Sequence, residues 1–317
     1  MIHYITYNNL DYKKWDKCIK ESINGTFYAK SWYLDIVCEQ WDALVLNDYE
    51  VVMPLPRRKK WGIKYIYQPF LCQQLGVFYT QEEYSVDDFI LAIPKDFLRF
   101  NINLNAHNST SCFVKKKNVN YLLSLEKTID ELRINYSKSH LKNLRRANKY
   151  GLSIATEPDT VEMFHVKKLH LASDFMTTNQ FNLELKIIKE SVALGKGEIF
   201  SVSGDEGNCC SIFLINDNKR LFLLSSYSDE EGKNKLAYFF LLDYIFSLEK
   251  FRGYVFDFEG SNLKGVAQRN QGFGAVPTSY FTIYQSVWDR ILNYAGVKSE
   301  ELKSLIYFSP ILFGLLP

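Results

Sequence analysis

Tyr254–Ala275, YVFDFEGSNLKGVAQRNQGFGA, decides the reading of this chain. It opens with Tyr-Val-Phe-Asp-Phe, alternating as a strand does, and the pattern breaks at Glu259-Gly260-Ser261. A short helical segment follows from Asn262 to about Gln271 and closes on Gly272-Phe273-Gly274. A strand that ends in a carboxylate, a glycine and a hydroxyl, then feeds a helix, puts polar groups at the carboxyl edge of a sheet. In open α/β sheets that edge is where ligands bind. The same residues also make an ordinary strand-to-helix turn with Ser261 or Asn262 as the N-cap.

A chain of 317 residues is long for one core, and two domains of roughly 150 residues each are expected. Aromatics reach 15%, with 21 Tyr and 23 Phe, which suits a cleft for a polar ligand as well as a plain sheet core. Net charge is +2, so no global attraction to nucleic acid is indicated and no DNA partner is expected. The six cysteines form no CxxC and have no histidines clustered near them. Cys209 and Cys210 would point to opposite faces of a strand. They read as reduced core residues of a cytoplasmic protein without a metal site. No signal peptide is visible in MIHYITYNNLDYKKW. The apolar tail Leu305–Pro317 is too short to span a bilayer, and is expected to pack on the body or to touch a partner or membrane surface.

Outward from that stretch the chain alternates strands and helices. Ile2–Thr6 reads as a strand and Asp11–Ser22 as a helix with Trp15, Cys18 and Ile19 inward. In TFYAKSWYLDIVCEQ, Ser31 is placed to cap a helix, with Lys30 just ahead of it where a cation gains nothing from the helix dipole. Two strands flank Asn47-Asp48, and Arg57-Arg58-Lys59-Lys60 reads as a solvated basic turn. Lys64–Tyr79 is an extended segment whose Gln68, Gln73 and Gln74 need hydrogen-bond partners, in a ligand groove or, preferred here, an internal network. A helix is expected over Glu82–Leu91, and strands over Phe97–Asn103 and Asn120–Leu125. A helical segment near Thr128 leads into SKSHLKNLRRANKY, the most basic run, where Lys138, Lys142, Arg145 and Lys149 form a stripe suited to phosphate. After two more helices come three strands joined by tight turns, then one long amphipathic helix over Lys233–Lys250.

This order, helix, helix, antiparallel strands, long helix, parallel strand, short helix, strand, resembles the GNAT (N-acetyltransferase) fold. More specifically the chain resembles the FemAB-like (Fem-type aminoacyltransferase) group, in which two GNAT-like domains stand in tandem. The resemblance is carried by TFYAKSWYL, SKSHLKNLRRANKYGLSI, SSYSDEEGKNKLAYFFLLDYIF, and FDFEGSN followed by GFGA. It implies an α/β fold of mixed sheets, with domains over 1–127 and 128–317 and a cleft between or within them. It also implies transfer of an acyl or aminoacyl group to an amine, with aminoacyl-tRNA as donor and a peptidoglycan precursor as acceptor. The family's phenylalanine-lysine pair before GFG falls here on Arg269-Asn270, so the lysine's role is not carried over and Arg269 is its nearest cation. The family's coiled-coil arm has no heptad counterpart. An ordinary GNAT cradles the pyrophosphate of acetyl-CoA in a glycine-rich loop. Here Ser228–Lys235 has one glycine and three acids, which argues against CoA.

No GxSxG elbow or Cys/His constellation is present, so direct attack by a bound amine is favoured over a covalent acyl-enzyme. Asp257 and Glu259, two apart on one strand, would share a face, one of them accepting a proton or positioning an ammonium group; either could instead cap or salt-bridge. The expected catalytic residues are Asp257, Glu259 and Arg269. Lys30, Tyr33, Gln73, Arg145, Arg146, Tyr227, Ser261, Lys264 and Phe273 are expected around the substrates. The rival readings are a non-catalytic GNAT-like binding module and an acyl-CoA-dependent N-acyltransferase of an amino sugar.

Overall fold

The computed structural model describes residues 1–81, 84–172, 174–260 and 262–294; the apolar tail at 305–317 and Ser261 lie outside them. The first half supplies β1 (Ile2–Ile5), α1 (Tyr12–Glu21), α2 (Ser31–Val37), β2 (Gln40–Leu46), β3 (Val51–Lys60), β4 (Ile63–Ile66), β5 (Phe78–Tyr79), α3 (Val86–Leu91), β6 (Phe97–Asn103) and β7 (Val114–Ser124). The second supplies α4 (Ile129–Ile134), α5 (Lys138–Ala147), β8 (Ser153–Ile154), α6 (Val161–Ala172), α7 (Thr178–Ala193), β9 (Gly197–Gly204), β10 (Gly207–Asp217) and β11 (Arg220–Ser228). It continues with α8 (Glu230–Asn234), α9 (Ala237–Ser247), β12 (Val255–Asp257), α10 (Lys264–Gly272), β13 (Val276–Gln285) and α11 (Val287–Tyr294). All strands join one mixed sheet, in the order β1-β2-β3-β4-β6-β13-β7-β12-β11-β10-β9-β8 with β5 beside β3.

β13 does the joining. It pairs with β6 on one side and with β7 on the other, so the last strand of the chain lies between two strands of the first half. β7 in turn pairs with β12. One hydrophobic core covers α1, α2 and the strands of the first half. It also takes Phe164, Ile187 and Ile188 from α6 and α7, and Phe213, Ile215 and Phe222 from β10 and β11. A second core lies on the opposite face of the second half, where Leu144, Leu241 and Ile245 pack on Ile212, Leu214, Leu221 and Phe256.

Local chemistry explains most boundaries. Asp11, Thr128, Ser137 and Thr177 each accept a backbone N–H at the start of a helix, as N-caps do. Several expectations change. Ser31 caps nothing: its hydroxyl and N–H both donate to Asp16, and Lys30 occupies the N-cap position without capping the helix through its side chain. Arg57–Lys60 is the end of β3, and the turn falls one step later at Trp61-Gly62. Of Lys64–Tyr79, only Ile63–Ile66 and Phe78–Tyr79 are strand. The expected helix from Glu82 begins at Val86 behind a Ser85 cap. The long helix over 233–250 is broken, because Leu236 turns left-handed at φ +60° between α8 and α9. Leu263 takes the N-cap position of α10. Cys209 sits in a bulge of β10, and both it and Cys210 are buried in the second core.

Candidate active site

β11 and β12 run parallel and pair only over Arg220–Phe222 and Val255–Asp257. β11 then continues to Ser228, so among the described residues the edge it turns towards β12 has no partner strand beyond Phe222. A bulge against β10, at Phe213/Leu214, displaces Leu224 within that stretch. Backbone polar groups without a partner strand are available to a ligand. Two cavities line this open edge.

The first, about 220 Å³, is walled by Leu71 and Gln73 of the first half, Leu224 of β11, Glu259 and Asn262 beyond β12, and Tyr280 of β13. Glu259 dominates it. Glu259 lies past the end of β12, in the left-handed region at φ +59°, so it does not share a strand face with Asp257 as alternation suggests. Strain of this kind at a non-glycine residue concentrates at functional sites. Gly260 follows at φ +61°, where a Cβ would stand 2.6 Å from the Val119 carbonyl oxygen. Only glycine fits both the dihedral and the space.

Burial pushes the Glu259 carboxyl up to about 8, with the nearby charge of Asp257 adding to the rise. The Tyr28 hydroxyl donates to it and opposes that rise, and Gln73 Nε2 donates to the Glu259 carbonyl. Asp257 has a different occupation. Its Oδ2 accepts from Arg220 Nε and Nη2 at 2.9 and 2.6 Å, and its Oδ1 from Asn120 Nδ2 at 2.9 Å and Glu259 N at 2.8 Å. Both oxygens are engaged in holding the turn.

The second cavity, about 390 Å³, lies further along β11, walled by Ser226, Tyr227, Ser228, Lys233, Tyr238 and Arg269 among others. The Arg269 guanidinium lies 4.4 Å from the centre of the Tyr238 ring. Arg269 Nε, Ser228 Oγ and the Tyr238 hydroxyl are buried without a hydrogen-bond partner. Three such atoms around one cavity describe a polar receptor. Burial raises the Tyr238 hydroxyl to about 12, so it is a donor rather than a phenolate. Asn270, at the family's lysine position, is wholly buried and also unpartnered, and Arg269 is the cation that lines the cavity. The three acids of 228–235 have local partners: Asp229 caps α8, Glu230 pairs with Lys233, and Glu231 with Lys235.

The site thus brings together Glu259, Gln73 and, behind them, Asp257, with Tyr227 and Arg269 in the neighbouring cavity. Tyr227 contributes its ring, since its hydroxyl donates to buried Asp159, which Ser211 and Lys167 also contact. Tyr33 is buried and donates to the Leu71 carbonyl, supporting the cavity wall from behind. Gln68 and Gln74 extend the Gln73 network: Gln74 donates to Gln73 Oε1 at 2.6 Å, and Gln68 donates to the Cys72 carbonyl. Lys30 is half-buried in an ion pair with Asp217, shared with Lys196. Desolvation lowers its pKa. Phe273 is core, 1% exposed and packed on Tyr136, His140 and Phe258. Arg145, Arg146 and Lys264 are exposed and line neither cavity. Sequence reasoning missed Tyr28, Arg220, Tyr238 and Tyr280. Tyr28 and Tyr238 sit inside TFYAKSWYL and KNKLAY, segments that carry the resemblance, whereas Arg220 and Tyr280 have no signal outside the fold.

A parallel pair that parts at its end, with cavities along the gap and a sheet shared by two halves, is a fold that solved FemX and tandem GNAT structures share. The crystal structure of FemX superimposes with a TM-score of 0.64 at 12% identity, over 96% of this chain and 99% of that one. A tandem GNAT protein from the clavulanic acid biosynthesis pathway gives 0.54 at 9% identity, over 90% and 98%. A conserved protein of unknown function from Bacteroides thetaiotaomicron gives 0.57 at 10%, over 90% and 100%. No family model and no curated protein matches the sequence. At these identities the likeness is one of fold.

Proposed function

We propose that the chain is an acyltransferase that moves an acyl or aminoacyl group to an amine of a cell-wall or surface-glycan precursor, by direct attack. The carrying observation is Glu259: a buried carboxyl pushed to about 8, on the wall of a cavity at the open edge of β11. A base titrating there is matched to deprotonating an amine near neutrality. The acceptor amine would enter the first cavity, form the new C–N bond to the donor's acyl carbon and give its proton to Glu259, which would return it to the donor's oxygen or sulfur as the ester or thioester bond breaks. The donor would occupy the second, its phosphate or ester end against Arg269, Tyr238 and Ser228. Leu224 of β11 lines the first cavity and Ser226–Ser228 the second, so the carbonyl would meet the amine along this stretch, beside backbone N–H groups able to stabilise an oxyanion. Asp257 holds the Glu259 turn and is a positioning residue. Aminoacyl-tRNA is the donor the FemAB-like resemblance implies.

The test crosses two donors, charged tRNA and acyl-CoAs, with two acceptors, nucleotide-linked muropeptides and nucleotide-linked amino sugars, with product mass as readout. Transfer is expected to rise with pH to a plateau above about 8, as Glu259 ionises. Glu259→Gln should lose about 10²- to 10⁴-fold in kcat. Absence of product with every pair, while a ligand still raises the melting temperature, would favour a binding module instead.

A further inference from the structure

The geometry points to a membrane-docking surface at one end of the sheet, away from both cavities and made for anionic lipid. Three structural pieces meet there. The β3–β4 hairpin turns at Trp61-Gly62, where Lys60 pairs with Ile63. Lys64 of β4 lies beside Phe97, the first residue of β6, so the segment leading from α3 into β6 reaches the same end. The third piece is α11, whose Arg290 donates to the Ile93 and Pro94 carbonyls at 3.2 Å.

Each piece presents a large apolar side chain to solvent: Trp61 is 69% exposed, Leu91 65% and Trp288 60%. Trp61 also sits at φ +49° in a turn where Asn or Gly is the usual residue. No internal packing at 69% exposure rewards a tryptophan there. The β3–β4 hairpin, RRKKWGIK over 57–64, carries only cations, and the acids of this end, Asp88, Asp96 and Asp289, lie on the neighbouring pieces. Arg58 pairs with Glu39 and Lys64 with Asp96, whereas exposed Lys59, Lys60 and Lys95 make no ion pair among the described residues. The Lys60 ammonium lies 4.6 Å from the Trp61 ring centre.

Tryptophan at a protruding tip and lysines beside it match the two layers of an anionic bilayer surface, ring at the headgroup boundary and ammonium on phosphate. Trp61 stands at the tip of a hairpin with 69% of its surface exposed, which fits a lipid plane rather than a peptide groove. Among the described residues no helix is long and apolar enough to cross a membrane, so this surface would rest on the bilayer. The inference does not rest on acyl transfer.

Sedimentation of the full chain with vesicles of phosphatidylcholine, with and without phosphatidylglycerol, tests it. Binding is expected only with phosphatidylglycerol. The triple variant Lys59→Glu, Lys60→Glu, Trp61→Ser should lose about tenfold or more in partitioning, with an unchanged melting temperature because all three side chains are exposed. The variant keeps residues 295–317. Undiminished binding by it, equal binding to neutral vesicles, or no binding at all would overturn the proposal. Displacement of the same surface by uncharged tRNA, with lipid ignored, would also overturn it.

Discussion

Glu259 is the residue where stability and function meet. Its carboxyl titrates near the ordinary value, about 4.5, in the unfolded chain and at about 8 when buried beside Asp257. Between those two values the folded protein holds a proton that the unfolded chain has released. Its contribution to stability is therefore complete below about pH 4.5 and lost as pH rises to about 8. Glutamine keeps the shape and the bond to Tyr28 but cannot ionise. Glu259→Gln should melt with the parent near pH 4 and above it at pH 8, roughly the two ends of that window; a gap that stays constant between them would refute a proton held at Glu259. Alternation in FDFE made both carboxylates visible in the sequence but could not assign them. What assigns them are partners remote in the chain: Arg220, 37 residues before Asp257, and Tyr28, 231 residues before Glu259. Pattern reasoning has no access to contacts of that reach.

At the scale of the element, GFGA was legible as the close of a short helix, but its glycine serves packing. A Cβ on Gly272 would stand 1.9 Å from His140 Cε1, because the imidazole fits under the end of α10 and bonds the Arg269 carbonyl at 2.8 Å. Desolvation there lowers the His140 pKa. Gly272→Ala should cost about 1–3 kcal/mol by urea denaturation, and much less in a His140→Ala background, where the clash is gone. Equal losses in both backgrounds would show that the helix end, not the histidine, sets the need for glycine. The broken helix after β11 was less legible. KNKLAYFFLLDYIF reads as one amphipathic run, and only the left-handed Leu236 divides it. Leucine gives no warning of a positive φ. That break places Tyr238 on the wall of the second cavity beside Arg269.

For the whole molecule, the order of elements was readable because each strand and helix carries its own period, whereas the way the halves join was not. A boundary near residue 127 separates the helical segment after it from the strands before it. Yet β7, before that boundary, pairs only with β12 and β13, and β13 returns to β6. Removing the second half would strip β7 of both its neighbours, and removing the first would strip β13 of both, exposing ladder groups that need partners. The first core would also be cut, since Phe27 packs edge-on against Phe222 with ring centres 4.6 Å apart. Calorimetry of the full chain is therefore expected to give a single transition, with calorimetric and van't Hoff enthalpies in agreement. A fragment of residues 1–127 should remain unfolded alone. Two separated transitions, or a cooperatively melting 1–127 fragment, would mean that the β6–β13–β7 ladder joins two bodies already stable by themselves. The open edge of β11 would then be a cleft between movable units. With one transition it is a fixed gap in one sheet, held at its width by the same strands that hold the fold.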